Sequence, residues 1–263
     1  MEKKKSKEKR LLQIIDVLKK SETVSTRELS ALLNVSEMTV RRDLELLERD
    51  HIVDRKHGGA VLKSPSSEYE VEGEVYDLSR ARVINVKEKT NIARYAASVI
   101  EPDDLIFMDN GTTVSRIVPY LPREFQFTVL TYNAVIMFGL LNYRNIKVIF
   151  TGGYYYPEDQ MFSSDQSGNF IKRHRATKSF ISASGVHESL GITCINAHSV
   201  ISKRALLDAS ATRILLTDSS KFGVVKSNHF ADLDEFDEII TDSNLPQHWI
   251  DTIKEHDIEL RLV

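Results

Sequence analysis

The chain has 263 residues, 41% of them hydrophobic and 28% charged, with a formal net charge of −3. This reads as an ordinary globular chain with ample core, long enough for one large domain or a small one joined to a medium one. Its single cysteine, Cys194, excludes an internal disulfide and a cysteine-built zinc site.

The longest apolar stretch, FTVLTYNAVIMFGLL (Phe127–Leu141), is broken by threonines, Tyr132 and Asn133. It falls short of the ~20 uninterrupted apolar residues of a membrane span. The basic opening MEKKKSKEKR has no apolar run behind it, so no secretory signal is expected and a cytoplasmic location is. Charge is uneven along the chain. Residues 1–60 hold 14 Lys and Arg against 11 Asp and Glu, leaving 21 against 27 for the rest. A basic head on an acidic body suits a polyanionic partner for the head.

In chain order, Leu11, Ile14, Ile15 and Leu18 recur at helical spacing. Ser25 followed by Glu28 is a capping box opening a second helix with Leu29, Leu32 and Leu33. Asn34-Val35-Ser36 makes the turn, with Asn34 suited to a left-handed conformation and Ser36 placed to cap a third helix running to about Arg49. HIVDRKHGGAVL then reads as two short strands around Gly58-Gly59. Helix, helix, tight turn, helix, hairpin is the order of a winged helix-turn-helix, assigned to residues 1–62.

Residues 63–77 open with KSPSSEYEVEGE, which has no apolar period and reads as a linker. From Leu78 a long helix ending in IARYAASVI is expected, and residues 78–263 are taken as the second domain. Strand-like runs follow at Leu105–Met108, Phe127–Thr131, Lys147–Phe150, Ser179–Ala183, Arg213–Asp218, Glu238–Thr241 and Ile258–Val263. Segments of helical period such as TTVSRIVPYL and SVISKRALLDAS lie between them, so the class is α/β with a mainly parallel sheet covered on both faces.

On the third helix, Val40, Leu44 and Leu47 form one stripe that must face the first two helices. Met38 and Arg42 then project on the opposite side, flanked by Thr39 and Arg41. Such a helix presents its first turns to base edges in the DNA major groove, where arginine grips guanine bidentately. Thr39 is placed for a thymine methyl, Ser36 for a phosphate, and Arg55, Lys56 and His57 for a neighbouring phosphate or the minor groove. The competing reading pairs Arg41 and Arg42 with Glu37, Asp43 or Glu45 on a solvated helix. The capped second helix, the Asn-Val-Ser turn and the basic hairpin at the right offsets favour DNA.

STRELSALLNVSEMTVRRDLELLERDHIVDRKHGGAVL resembles the N-terminal module of the DeoR family of bacterial transcriptional regulators. The likeness continues through FMDNGTT, TGG and DSSKFG. The resemblance implies a winged-helix repressor whose C-terminal sensor is related in fold to sugar-phosphate isomerases.

Three turns in the second domain share a chemistry. In FMDNGTT, Gly111 lets the backbone approach a ligand, and the Thr112 and Thr113 hydroxyls with nearby N–H groups can hold an anion. Gly152-Gly153 leaves a second strand end. Lys221, in TDSSKFG, is a point charge for phosphate at a third. Ligands of open α/β sheets bind at such ends, so the three together favour one phosphorylated small molecule. The resemblance places a sugar phosphate among Asp109, Gly111, Thr112, Thr113, Asn133, Gly152, Gly153 and Lys221. The stretch SASGVHESLGITCIN departs from the wider family pattern, which more often has an acidic residue where His187 stands. It is similar to the branch for which deoxyribose 5-phosphate is the implied effector, which adds His187 to the site. A loop histidine is the alternative for that residue.

The alternative function is an isomerase-like enzyme with a DNA-binding head. Aldose–ketose isomerisation needs a base at the sugar's C1 and C2 hydrogens. The strand end Ser182–Gly185 carries no carboxylate, leaving Asp109, with His187 or Glu188 as substitutes. No catalytic set, cofactor or metal site is read. The expected partners are double-stranded operator DNA, a phosphorylated sugar effector and further copies of the chain, as a dimer or higher oligomer.

Overall fold

Leu11, Ile14, Ile15 and Leu18 do form one buried stripe, on helix α1 (Glu2–Lys19). The computed structural model describes residues 2–21, 23–49, 52–56, 59–62 and 78–263, without the side chains of 2–5 and 56. They form two compact units that divide at Val86/Lys87.

In the first unit, strand β1 (Val24–Ser25) leads into α2 (Thr26–Leu33). The Ser25 side chain accepts from the Glu28 N–H at 3.1 Å, and the Glu28 carboxylate accepts from the Ser25 N–H at 2.8 Å, closing the expected capping box. Asn34 ends α2 in the left-handed region at φ 52°. Helix α3 (Glu37–Arg49) then buries Val40, Leu44 and Leu47 fully against Leu29, Ile14 and Ile15.

The wing is β2 (Val53–Lys56) and β3 (Gly59–Leu62), antiparallel, with β1 added on the other side of β3. His57 and Gly58 lie outside the described residues. Gly59, expected in the turn, is already in β3, opposite both Lys56 and Ser25. A Cβ there would stand 2.5 Å from the Val24 carbonyl oxygen, so close strand approach is what requires glycine.

The expected linker at 63–77 lies outside the described residues. The single long helix expected from Leu78 is two: α4 (Leu78–Val83) and α5 (Val86–Ser98). Asn85 interrupts them at φ 52°, a conformation asparagine tolerates. Helix α4 belongs to the first unit, where Val83 joins the core and Arg80 meets Asp16 at 3.0 Å. The second unit therefore starts at 87 rather than 78.

Its centre is a seven-stranded, all-parallel sheet of the seven segments expected from the sequence. They are β4 (Leu105–Met108), β5 (Phe127–Thr131), β6 (Ile146–Phe150), β9 (Ala176–Ser182), β12 (Ser210–Leu216), β14 (Glu238–Thr241) and β15 (Glu259–Leu262). Their order is β15-β14-β12-β9-β4-β5-β6. One apolar cluster, with Phe107, Leu130, Ile181, Leu215 and Ile239, covers one face. Another, with Ile106, Met108, Val129, Phe180 and Ile214, covers the other, so alternate residues of each strand go to opposite cores.

Helices α6 (Ala134–Leu140), α7 (Ser167–Lys172), α8 (Val200–Asp208) and α9 (Gln247–Glu255) complete the layers. TTVSRIVPYL winds more tightly than expected, as a 3-10 turn over Val114–Tyr120 with Pro119 inside it. Two small additions were not foreseen: the hairpin β7 (Tyr154–Tyr156) with β8 (Met161–Ser163), and a sheet of β10 (Gly185–His187), β11 (Gly191–Cys194) and β13 (Asn228–Ala231). Among the described residues no helix is long and apolar enough to cross a membrane.

Candidate functional site

The buried stripe of α3 turns its other side outward. Met38 is 57% exposed, and Arg41 and Arg42 are exposed. Arg42 has no ion-pair partner among the described residues, whereas Arg41 approaches Glu37 only at 3.9 Å on a solvated surface. Asp43, a candidate partner for these arginines, is buried and taken by Arg10 of α1, at 2.5 and 3.2 Å. That hydrogen bond raises the Arg10 pKa above its already high value. Ser36 caps α3, accepting from the Thr39 N–H at 3.2 Å, with the two hydroxyls 2.9 Å apart. Arg55 leans toward Glu45 at 3.4 Å and Glu48 at 3.9 Å. Exposed pairs of this kind are worth ~0–1 kcal/mol, so a phosphate competes with them easily. Lys56 is in β2, and His57 lies outside the described residues.

In the second unit every strand end singled out from the sequence falls on one edge, because the sheet is all parallel. Chain order reverses between β4 and β9, since β5 and β6 extend one way from β4 and β12, β14 and β15 the other. The crevice outside that reversal is where open α/β sheets bind ligands. Asp109 sits there, fully buried, and is bonded by four donors: the Tyr132 hydroxyl, the Lys203 ammonium, and the Ser182 N–H (2.8 Å) and hydroxyl (3.0 Å). Lys203, on α8, also donates to the Ser182 carbonyl at 2.9 Å. Burial first, then the Asp109 charge, pushes the Tyr132 phenol well above its usual pKa, so it stays a donor.

Next to this bridge the chain leaves hydrogen-bonding groups open. The N–H groups of Gly111, Thr112 and Thr113 have no acceptor among the described residues, and neither threonine hydroxyl has a partner there. Both threonines are more than nine-tenths buried. Gly111 has φ 144°, and a Cβ on it would meet the Ser182 hydroxyl at 2.5 Å, so no other residue fits without displacing β9. Successive unpaired N–H groups at such a turn make an anion nest.

The remaining predicted residues divide. Asn133 uses its side-chain oxygen to cap α6, accepting from the Ile136 N–H at 3.0 Å. Gly152 and Gly153 leave β6, with Gly153 against the Ser163 backbone. Lys221 follows β12, with no ion-pair partner among the described residues. Its turn is anchored by Ser219, whose N–H and hydroxyl reach Asp242 at 2.7 and 3.0 Å. Burial raises the Asp242 pKa, but these donors and Asn244 outweigh it and hold the carboxyl below its ordinary range. The strands β12 and β6 are four steps apart, roughly 19 Å at about 4.8 Å per step, with the nest on β4 midway. The three turns therefore leave three different strands at one edge of the sheet, with the nest on the strand between the other two. His187 accepts at Nδ1 from the Ser189 and Leu190 N–H groups, both at 3.3 Å, which is turn-capping within its own hairpin.

Sequence reasoning missed Lys203, Tyr132 and Ser182. It also missed Asp159 and the side chains that meet it, Asn110, Asn196 and His198. Lys203 and Ser182 are distant from Asp109 in the chain and carried no motif.

A family model described as the DeoR-like helix-turn-helix domain matches residues 10–66, and one described as the DeoR C-terminal sensor domain matches residues 84–243. The chain belongs to the DeoR family. This DeoR-family regulator is 30% identical to the deoxyribose operon repressor of Escherichia coli, over 90% of each chain. It is 33% identical to the lactose phosphotransferase system repressor of Lactococcus lactis, over 92% of this chain and 94% of that one. It is 31% identical to the HTH-type transcriptional regulator YulB of Bacillus subtilis, over 95% of each. Among solved structures, ribose 5-phosphate isomerase A of Methanocaldococcus jannaschii overlays 52% of this chain and 55% of its own at a TM-score of 0.39 and 14% identity, too little to carry an argument about activity. The DeoR-family chain is a DNA-binding transcriptional regulator and not an enzyme. Its buried Asp109 agrees, because a carboxylate engaged by four donors is poorly placed to abstract a carbon-bound proton.

Proposed function

We propose that this regulator represses an operon of sugar or nucleoside catabolism and is released by a phosphorylated sugar bound at the β4–β9 crevice. The observation that carries this reading is the open nest at Gly111–Thr113, three N–H groups and two hydroxyls beside a cation-bridged carboxylate. The phosphate belongs in the nest. The sugar then extends toward Lys221 on one side or Gly152-Gly153 on the other. Deoxyribose 5-phosphate is the first candidate, on the likeness to the deoxyribose operon repressor. The similar identity to the lactose system repressor keeps other sugar phosphates in the test.

At the DNA, α3 lies in the major groove with Arg42 and Arg41 toward bases, Met38 and Thr39 alongside and Ser36 toward the backbone, while the wing residues Arg55, Lys56 and His57 serve a neighbouring phosphate or the minor groove. One such head buries little surface, so two heads on a partly palindromic operator are required, joined as a dimer or higher oligomer. The effector releases DNA by favouring the arrangement of heads that does not bind.

An operator gel shift titrated with a panel of sugar phosphates tests the reading, which fails if no member changes the shift. Arg42→Ala is expected to weaken operator binding by about 1–3 kcal/mol, and an unchanged affinity removes Arg42 from base readout. Lys221→Ala is expected to bind operator normally and need far more effector for release. Release at the wild-type concentration would take Lys221 out of the site.

A further inference from the structure

Beside the nest, and linked to it through Asn110, a second group of side chains converges. Asp159, 5% exposed, accepts from Asn196 Nδ2 at 2.9 Å and Asn110 Nδ2 at 3.3 Å. His198 Nε2 lies 3.2 and 3.3 Å from its two carboxylate oxygens. The His198 ring is held flat against Tyr156, with centroids 4.0 Å apart and planes 14° from parallel. Glu158 brings a second carboxylate, so that one donor atom each from Glu158, Asp159 and His198 lies within 4.8 Å of the others. Glu158 makes no hydrogen bond among the described residues.

A second feature adjoins this group. Asn110 is more than nine-tenths buried, and its Nδ2 is committed to Asp159 while its Oδ1 has no partner. Turning the amide over would set Oδ1 against the carboxylate, so the orphaned acceptor stays. A buried acceptor without a donor is destabilising, and a cation next to it would remove that penalty.

We propose that Glu158, Asp159 and His198 bind a divalent transition-metal ion of the Mn2+ or Zn2+ class, with Asn110 Oδ1 facing it. Two carboxylates and an imidazole suit such an ion better than Ca2+, which takes about six to eight oxygens. The metal takes the place of the hydrogen bond between His198 Nε2 and Asp159, with the ring proton on Nδ1. Asn196 orients the carboxylate from outside the coordination sphere, as partners of metal ligands commonly do.

The proposal is independent of the effector reading, because its readout is metal binding by the full chain without sugar or DNA. Isothermal titration with MnCl2 and with ZnCl2 is expected to give one site per chain for at least one of them. Glu158→Gln and His198→Gln should each weaken it by more than about tenfold, the loss that removal of even an outer partner brings. His229→Ala, at the exposed His229–Asp232 pair, should leave it unchanged. Glu158→Gln is decisive if His198→Gln fails to fold, since Glu158 supports no part of the hydrogen-bond network. Equal affinity in wild type and Glu158→Gln, no binding of either ion, or an equal loss in His229→Ala would each overturn the site and leave a hydrogen-bonded cluster only.

Discussion

Lys203→Met is expected to destabilise the second unit by about 3–5 kcal/mol, the loss that follows when one partner of a buried ion pair is removed. Lys203 and Asp109 are 4% and 0% exposed, so water cannot replace the missing ammonium. Asp109 would keep the Tyr132 and Ser182 donors but lose its countercharge in a low-dielectric crevice. For a unit of this size the melting temperature should fall by on the order of 10 °C. The double variant Asp109→Asn/Lys203→Met should recover much of that loss, since neither charge is then stranded. Thermal unfolding of the single and double variants checks both statements, and a single variant melting within a degree or two of wild type contradicts them. Because the pair holds β4 against β9 beside the Gly111 nest, the single variant should also respond poorly to any effector at temperatures where it remains folded.

Leu44→Ala should cost the first unit about 2–5 kcal/mol, as loss of a buried leucine leaves a cavity that packed neighbours fill only in part. Leu44 is fully buried between α3 and the other helices, and a head of this size has little stability in reserve. Operator binding should therefore fall sharply at 37 °C, although Leu44 faces away from the proposed DNA surface. Effector binding, measured by calorimetry, should be kept, because the second unit has its own two apolar clusters. A variant that binds operator at wild-type affinity and melts normally would show that α3 does not depend on this stripe.

The first unit was legible because its signals are local. A capping box spans four residues, an αL asparagine declares itself, and the spacing of Val40, Leu44 and Leu47 sets which side of α3 faces out. The central strands were legible for a related reason: a strand buried on both faces is a continuous apolar run wherever it lies in the sheet. The break at Asn85 was not, since α4 and α5 each keep a helical pattern. Their separation depends on α4 packing against α1, through Val83 and the Arg80–Asp16 pair.

The site divides along the same line. FMDNGTT marked itself by a glycine and two threonines after a strand, so the nest could be read directly. That Asp109 faces Lys203, 94 residues away, follows from β9 lying beside β4 with α8 over them, and strand order is not written in any local run. The same order sets the Gly152-Gly153 and Lys221 turns after strands on either side of the one that carries the nest. Local patterning thus determined the elements, the family and the outward face of α3. Only the tertiary structure decided which buried charges neutralise one another and which strand ends lie side by side, because those depend on distances between segments far apart in the chain.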